Sequence, residues 1–253
     1  MNEEPIGRKQ LLTLNGLTVF RRLKPGLEAL KPVTPFHGRV SGLAIFDLEG
    51  TLVNGELLPE LASFTGKERE VLTETIKALK GGSPWFWSLI KRLKMVRNIK
   101  EELVRDISRE LPITAEMEAL ARKLREQGFV TVVLTGGFEH TALEVAKRVK
   151  LNYVVSNKFI FKGGVVKGVL VNVNDNKGEW LRLLAKTFKT PLKRVLAIGD
   201  GFNDLEMLRL AGLGVMLGSC TNPPKPQRLV KVPEPCKVSR VVERWLKHLK
   251  GNI

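Results

Sequence analysis

The chain has 253 residues, 43% hydrophobic and 27% charged, a balance that fits one well-buried α/β core with a smaller appended unit. No stretch supplies the roughly 18 uninterrupted apolar residues of a membrane helix, and the start, Met1-Asn2-Glu3-Glu4-Pro5, lacks the basic-then-apolar plan of a secretion signal, so a cytoplasmic protein is expected. The formal net charge of +16 invites a nucleic-acid reading, but the excess is spread along the chain and a single tyrosine is a poor supply of base-stacking rings, so polynucleotide is not the expected partner.

Residues 1–40 read as an extension. Apolar residues from Leu11 to Phe20 mix with Arg21, Arg22, Lys24 and several prolines, and no clear period runs through them; a strand, a small helix or an unstructured tail all fit. Residues 42–46, Gly-Leu-Ala-Ile-Phe, form a buried-strand pattern that ends on Asp47-Leu48-Glu49-Gly50-Thr51-Leu52. Residues 57–111 then read as helices alone, broken near Thr65-Gly66, Gly81-Gly82-Ser83-Pro84 and Leu111-Pro112, which makes them an all-helical insert.

Alternation of helix and strand resumes with a helix over 115–127, a strand over 129–134, a turn at Gly136-Gly137, a helix over 139–149 and a strand over 152–155. Residues 159–171 alternate around Gly163-Gly164 as a β-hairpin does. A helix over 177–188, a strand over 194–198, a helix over 203–211 and a short strand over 213–216 complete the pattern. Such alternation argues for an α/β fold, a parallel sheet with helices on both faces, and places ligands outside the carboxyl ends of the strands. The two cysteines, Cys220 and Cys236, form no metal-ligand pattern; reduced thiols are expected, with a disulfide left open for a hyperthermophilic source.

The acidic residues cluster at those strand ends. Asp47 and Glu49 follow one strand, and Asp200 and Asp204 follow another in Gly199-Asp200-Gly201-Phe202-Asn203-Asp204. Carboxylates so gathered repel one another unless a hard cation neutralises them, and oxygen ligands without His or Cys suit Mg²⁺. A lone Asp after a strand is commonly a helix cap; two glycine-flanked clusters are not. Thr135-Gly136-Gly137-Phe138 brings a hydroxyl and backbone N–H groups that can cradle an anion, and Lys177 can bring a cation to a phosphate. Together these parts suit phosphoryl transfer, which needs an in-line nucleophile, charge neutralisation and positioning. Asp47 would attack phosphorus. Glu49 would act as acid and then base. Asp47, the Glu49 carbonyl, Asp200 and Asp204 would form the metal site.

In order and spacing, Asp47-x-Glu49-Gly-Thr-Leu, Thr135-Gly-Gly-Phe, Lys177 and Gly199-Asp-Gly-Phe-Asn-Asp204 resemble the four motifs of the haloacid dehalogenase (HAD) phosphatases. The resemblance spans about residues 41–250. It implies a Rossmann-like catalytic core over 41–55 and 113–253, with a helical cap over 56–112 inserted after the first motif. Within that superfamily the likeness is to the phosphoserine phosphatase family. It implies that Glu56 meets the substrate ammonium, that Arg92 grips its carboxylate, and that Thr135, Gly136 and Asn203 also bind substrate. Two departures stand out. The second acid of the first motif is Glu49 where Asp is usual, which leaves water or an alcohol such as homoserine open as acceptor, and Thr135 replaces the motif serine. Trp85 and Trp87 either narrow the pocket or pack the cap. The expected partner is a small phosphorylated metabolite, phosphoserine first, and a homodimer is compatible with the chain.

Overall fold

The computed structural model describes residues 5–6, 9–14, 16–218 and 229–251, without the side chains of 5–6 and 250–251. Its strands are β1 (Pro5–Ile6), β2 (Lys9–Leu14), β3 (Leu17–Arg22), β4 (Lys31–Pro32), β5 (Gly42–Phe46), β6 (Phe129–Phe138), β7 (Tyr153–Lys162), β8 (Val165–Val171), β9 (Val195–Gly199), β10 (Leu213–Leu217) and β11 (Leu229–Val232). Its α-helices are α1 (Leu57–Ser63), α2 (Glu68–Leu79), α3 (Trp85–Met95), α4 (Glu101–Glu110), α5 (Ala115–Glu126), α6 (Glu139–Val149), α7 (Lys177–Thr187), α8 (Leu205–Leu210) and α9 (Val238–Gly251). None is long and apolar enough to cross a membrane.

Strands β7-β6-β5-β9-β10-β11 run parallel in that order. Successive side chains of a strand point to opposite faces, and β5 is buried on both. Ala44 and Phe46 join an apolar cluster with Leu120 of α5, Val145 of α6 and Val242 of α9. Leu43 and Ile45 join a second cluster with Trp180 and Leu184 of α7 and Leu208 of α8. The sheet is therefore covered on both faces, and the all-apolar run of β5 follows from its central place.

Beyond β7 the sheet turns mixed. Strand β8 returns antiparallel to β7 across Gly163 and Gly164, at φ +62 and +72, the left-handed pair a tight hairpin turn needs. Part of the N-terminal extension is sheet: β2 and β3 form a hairpin, and β3 lies parallel to β8. Strand β4 adds a short antiparallel pair with β7.

Helices α1–α4 form the insert, with breaks at the expected places and one more at residues 96–100, where Asn98 has φ +68. Both ends of the insert share one stem: Val53 bridges Ile113, the Asn54 N–H donates to the Pro112 carbonyl at 2.9 Å, and the Thr114 N–H to the Leu52 carbonyl at 2.9 Å. The 96–100 turn is stitched to the β7–β8 hairpin. Asn98 and Glu101 N–H groups donate to the Val166 and Gly164 carbonyls, and the Val166 N–H donates to Ile99, each at 2.9 Å. Apolar residues of α1–α3 such as Leu61, Val71 and Leu89 belong to the same cluster as Phe46 and Val133 of the sheet. Cys236 is an exposed free thiol; Cys220 lies outside the described residues, so the pairing question does too.

Candidate active site

Strand β5 delivers Asp47 to the carboxyl edge of the sheet, where its N–H still donates to the Ile198 carbonyl of β9 at 2.9 Å. Lys177, at the first position of α7 and fully buried, donates to Asp47 Oδ1 at 2.7 Å and to Asp204 Oδ1. The other Asp204 oxygen accepts the N–H groups of Asp200 (3.1 Å) and Gly201 (3.0 Å). Asp204 is thus held by both oxygens, which fixes the lysine and the loop after β9.

One oxygen each of Asp47, Asp200 and Asp204 lies within 4.8 Å of the others, and Asp200 Oδ1 is buried without a hydrogen-bond partner. Three carboxylates with no nitrogen or sulfur donor, one oxygen of them orphaned in the interior, fit Mg²⁺. Gly50 permits the approach. At φ +74 it tolerates a left-handed turn, and a Cβ there would stand 2.1 Å from Asp200 Oδ2.

Without the cation, two of the three carboxyls are pushed above their ordinary range. Burial, then the Asp204 charge, pushes Asp47 up to about 7, despite the opposing pull of Lys177. Burial, with Asp47 and Asp204, holds Asp200 well above the usual carboxylate range. Burial depresses Lys177, but Asp204 and Asp47 outweigh it and raise the ammonium above its ordinary value, so it stays charged.

A cavity opens in front of Asp47, walled by Glu49, Glu56, Arg92, Thr135, Gly136 and Asn203; Lys177, Asp200 and Asp204 are not on its wall. The Glu49 carboxylate is not one of that group of oxygens. Its Oε1 accepts the Leu57 N–H at 2.8 Å, and its Oε2 would be 2.8 Å from a Cβ on Gly137. Burial raises the Glu49 carboxyl, with the Leu57 N–H, Arg92 and Lys177 opposing, which favours a group that carries a proton to donate. The Glu56 carboxyl is raised well above its usual range by burial and by Glu49, partly offset by Arg92. Arg92, buried in the insert, donates from Nη1 to Thr75 Oγ1 at 3.1 Å and from Nε to the Ser88 carbonyl at 3.4 Å.

Thr135 corrects one expectation. It does not sit in a turn between strand and helix, because β6 continues to Phe138. Between Leu134 and Phe138 the register against β7 slips: those residues face Val155 and Asn157. Thr135, Gly136 and Gly137 stand against Ser156 alone, and this surplus of two residues forms a bulge, a device that re-aims side chains beside a site. The Gly137 N–H donates to Thr135 Oγ1 at 2.8 Å, which leaves the hydroxyl proton for another acceptor.

The two tryptophans part company. Trp85 lies on the cavity wall against Gly136, where a Cβ would meet the indole at 2.4 Å; Trp87 is 57% exposed.

Asn157 escaped the sequence reading. Fully buried, it donates to the carbonyls of Gly136 (2.8 Å) and Val173 (3.0 Å) and accepts the N–H groups of Asn172 (2.8 Å) and Val173 (2.9 Å). Its amide is saturated, tying the bulge to the segment that leads to Lys177. The polar pair Ser156-Asn157 directly after the β-branched Val154-Val155 was the available signal.

Comparison with known proteins agrees with this geometry. The haloacid dehalogenase-like hydrolase family matches residues 42–212. The phosphoserine phosphatase of Methanocaldococcus jannaschii is 31% identical over 211 residues, 82% of this chain and 97% of that protein. That of Mycobacterium tuberculosis is 31% identical over 180 residues, 70% of this chain but only 44% of the longer relative. A substrate-bound phosphoserine phosphatase structure superposes with a TM-score of 0.74 at 27% identity, over 82% of this chain and 99% of that one. A structure of a phospho-aspartyl intermediate analogue of phosphoserine phosphatase gives 0.68 at 32%, over 71% and 87%. With its three-aspartate centre at the carboxyl edge of the sheet, the chain belongs to the haloacid dehalogenase-like hydrolase family, as a Mg²⁺-dependent phosphatase.

Proposed function

We propose that the chain hydrolyses O-phosphoserine to serine and phosphate, with residues 56–112 as a cap over a core formed by 41–55 and 113–253. The observation that carries the reading is the cavity before Asp47, whose wall offers one carboxylate, Glu56, and one guanidinium, Arg92, beyond the phosphate seat. A phospho-amino acid needs that complement for its ammonium and carboxylate. The names of the curated relatives point the same way.

Asp47 attacks phosphorus, the ester P–O bond breaks, and Glu49 gives its proton to the departing serine oxygen. Glu49, now a carboxylate, takes a proton from water; the water oxygen attacks phosphorus, the P–O bond to Asp47 breaks, and phosphate leaves. Thr135 Oγ, the Gly136 N–H and Asn203 hold the phosphoryl oxygens, while Lys177 orients Asp47. Asp47, the Glu49 carbonyl, Asp200 and Asp204 would hold Mg²⁺, which when bound neutralises the carboxylates and the phosphoryl charge.

Phosphoserine is expected to exceed glycerol phosphate in kcat/KM by about 100-fold, and Arg92→Leu to erase most of that preference by raising KM, since a hydrogen bond to a charged group contributes about 1.5–3 kcal/mol. Equal kcat/KM for the two substrates in the native enzyme would remove the Glu56 and Arg92 roles. Adding homoserine and assaying for its phosphorylated form separates a transferase from a hydrolase.

The raised Asp47 carboxyl gives a second test. Between its ordinary value of 3.8 and about 7 the folded protein holds a proton that the unfolded chain has lost. The metal-free fold therefore loses stability as pH rises through that window. Mg²⁺ needs the deprotonated site. The increase in Tm on adding Mg²⁺ should be larger at pH 8 than at pH 5.5; equal increments would contradict the assignment.

A further inference from the structure

We propose that Arg22, in the N-terminal arm, is a positioning residue for the phosphate-binding bulge, acting through Asn172 and Asn157. The proposal rests on the reading of Thr135 and Gly136 as the phosphate seat. Arg22 ends β3, the strand that links the β2–β3 hairpin to β8. Its side chain is turned into the protein and is 3% exposed. Its Nε donates to Asn172 Oδ1 at 3.1 Å and its Nη1 to the Glu28 carboxylate.

Asn172 in turn is engaged on every side. Its Nδ2 donates to the Ser156 carbonyl at 2.9 Å, its N–H to Asn157 Oδ1 at 2.8 Å, and its carbonyl accepts Trp180 Nε1 of α7 at 3.1 Å. Asn157 carries the chain of bonds into the site by gripping the Gly136 carbonyl. That carbonyl belongs to the same rigid peptide plane as the Gly137 N–H, which donates to Thr135 Oγ1. Orientation of the peptide therefore sets where the threonine hydroxyl can send its proton.

The same asparagine pair holds residues 172 and 173, a few positions before Lys177. Removing the guanidinium strips a buried amide oxygen of its charge-assisted partner. The disturbance has a short path of buried bonds to the bulge, and no bond in that path involves the three aspartates. Loss of Arg22 should thus separate phosphate binding from metal binding.

The experiment uses the full chain and its Arg22→Met and Arg22→Lys variants. It measures the inhibition constant of inorganic phosphate, the Mg²⁺ concentration for half-maximal activity, kcat and KM. Arg22→Met should raise the phosphate inhibition constant about tenfold or more and lower kcat/KM to match, the range for disturbing a supporting shell. The Mg²⁺ midpoint should stay within about twofold and the lysine variant should fall between. If the methionine variant does not fold, the lysine variant makes the same comparison alone. An unchanged phosphate constant, or phosphate and Mg²⁺ constants rising together as general loosening would make them, overturns the proposal. A native enzyme that phosphate does not inhibit at all would instead overturn the reading of the phosphate seat on which it stands.

Discussion

Asp47→Asn is expected to lower turnover by at least about 10⁴-fold, the scale on which loss of a covalent nucleophile acts. It should also abolish acid-stable trapping of labelled phosphate on the protein. The substitution keeps shape and one acceptor oxygen for Lys177 but removes the charge proposed to attack phosphorus. It also relieves crowding, because Asp47 is the residue whose carboxyl burial and Asp204 drive up to about 7. Asp47→Asn should therefore fold at least as well as the native chain without metal, which makes lost activity readable as lost chemistry. Full activity in this variant would remove the nucleophile assignment.

Lys177→Met should have the second largest effect, and on two observables. Lys177 is fully buried between Asp47 and Asp204, and removing one partner from a buried ionic group destabilises by about 3–5 kcal/mol. The two aspartates would then face each other without a counter-charge, so metal-free stability should fall most steeply at neutral pH and recover toward pH 5 as Asp47 takes up its proton. Turnover should fall by about 10³-fold or more even where the fold persists, because Asp47 loses the bond that aims it. Chemical denaturation at pH 5 and pH 8 with phosphate-release assays reads both effects. A variant as stable as the parent at both values would show that the lysine is not the keystone of the cluster.

The catalytic edge was legible because its chemistry is written in short contiguous segments. Asp47, Asp200 and Asp204 follow strands whose all-apolar runs are unambiguous, and Asp200 stands between two glycines. Helix α6 begins and ends where its pattern placed it, at residues 139 and 149. What stayed hidden depends on partners distant in the chain. Strand β2 is half-buried along most of its length, so it shows no alternation, and β3 pairs with a strand some 150 residues away. A local signal did exist: Asn15-Gly16 between two apolar runs is the preferred hairpin turn. The bulge at Thr135 was hidden for another reason. Thr-Gly-Gly reads as a turn, and only the register against β7 reveals that the strand continues.

The stitched hairpin also sets an order of assembly. Residues 98–101 of the insert and strand β3 of the arm find their partners on residues 164–171. During synthesis from the N-terminus, neither the first strands nor the helical insert can complete its contacts until β8 has been made. The first half of the polypeptide therefore waits on one short strand of the second, and long-range closure of this kind slows folding.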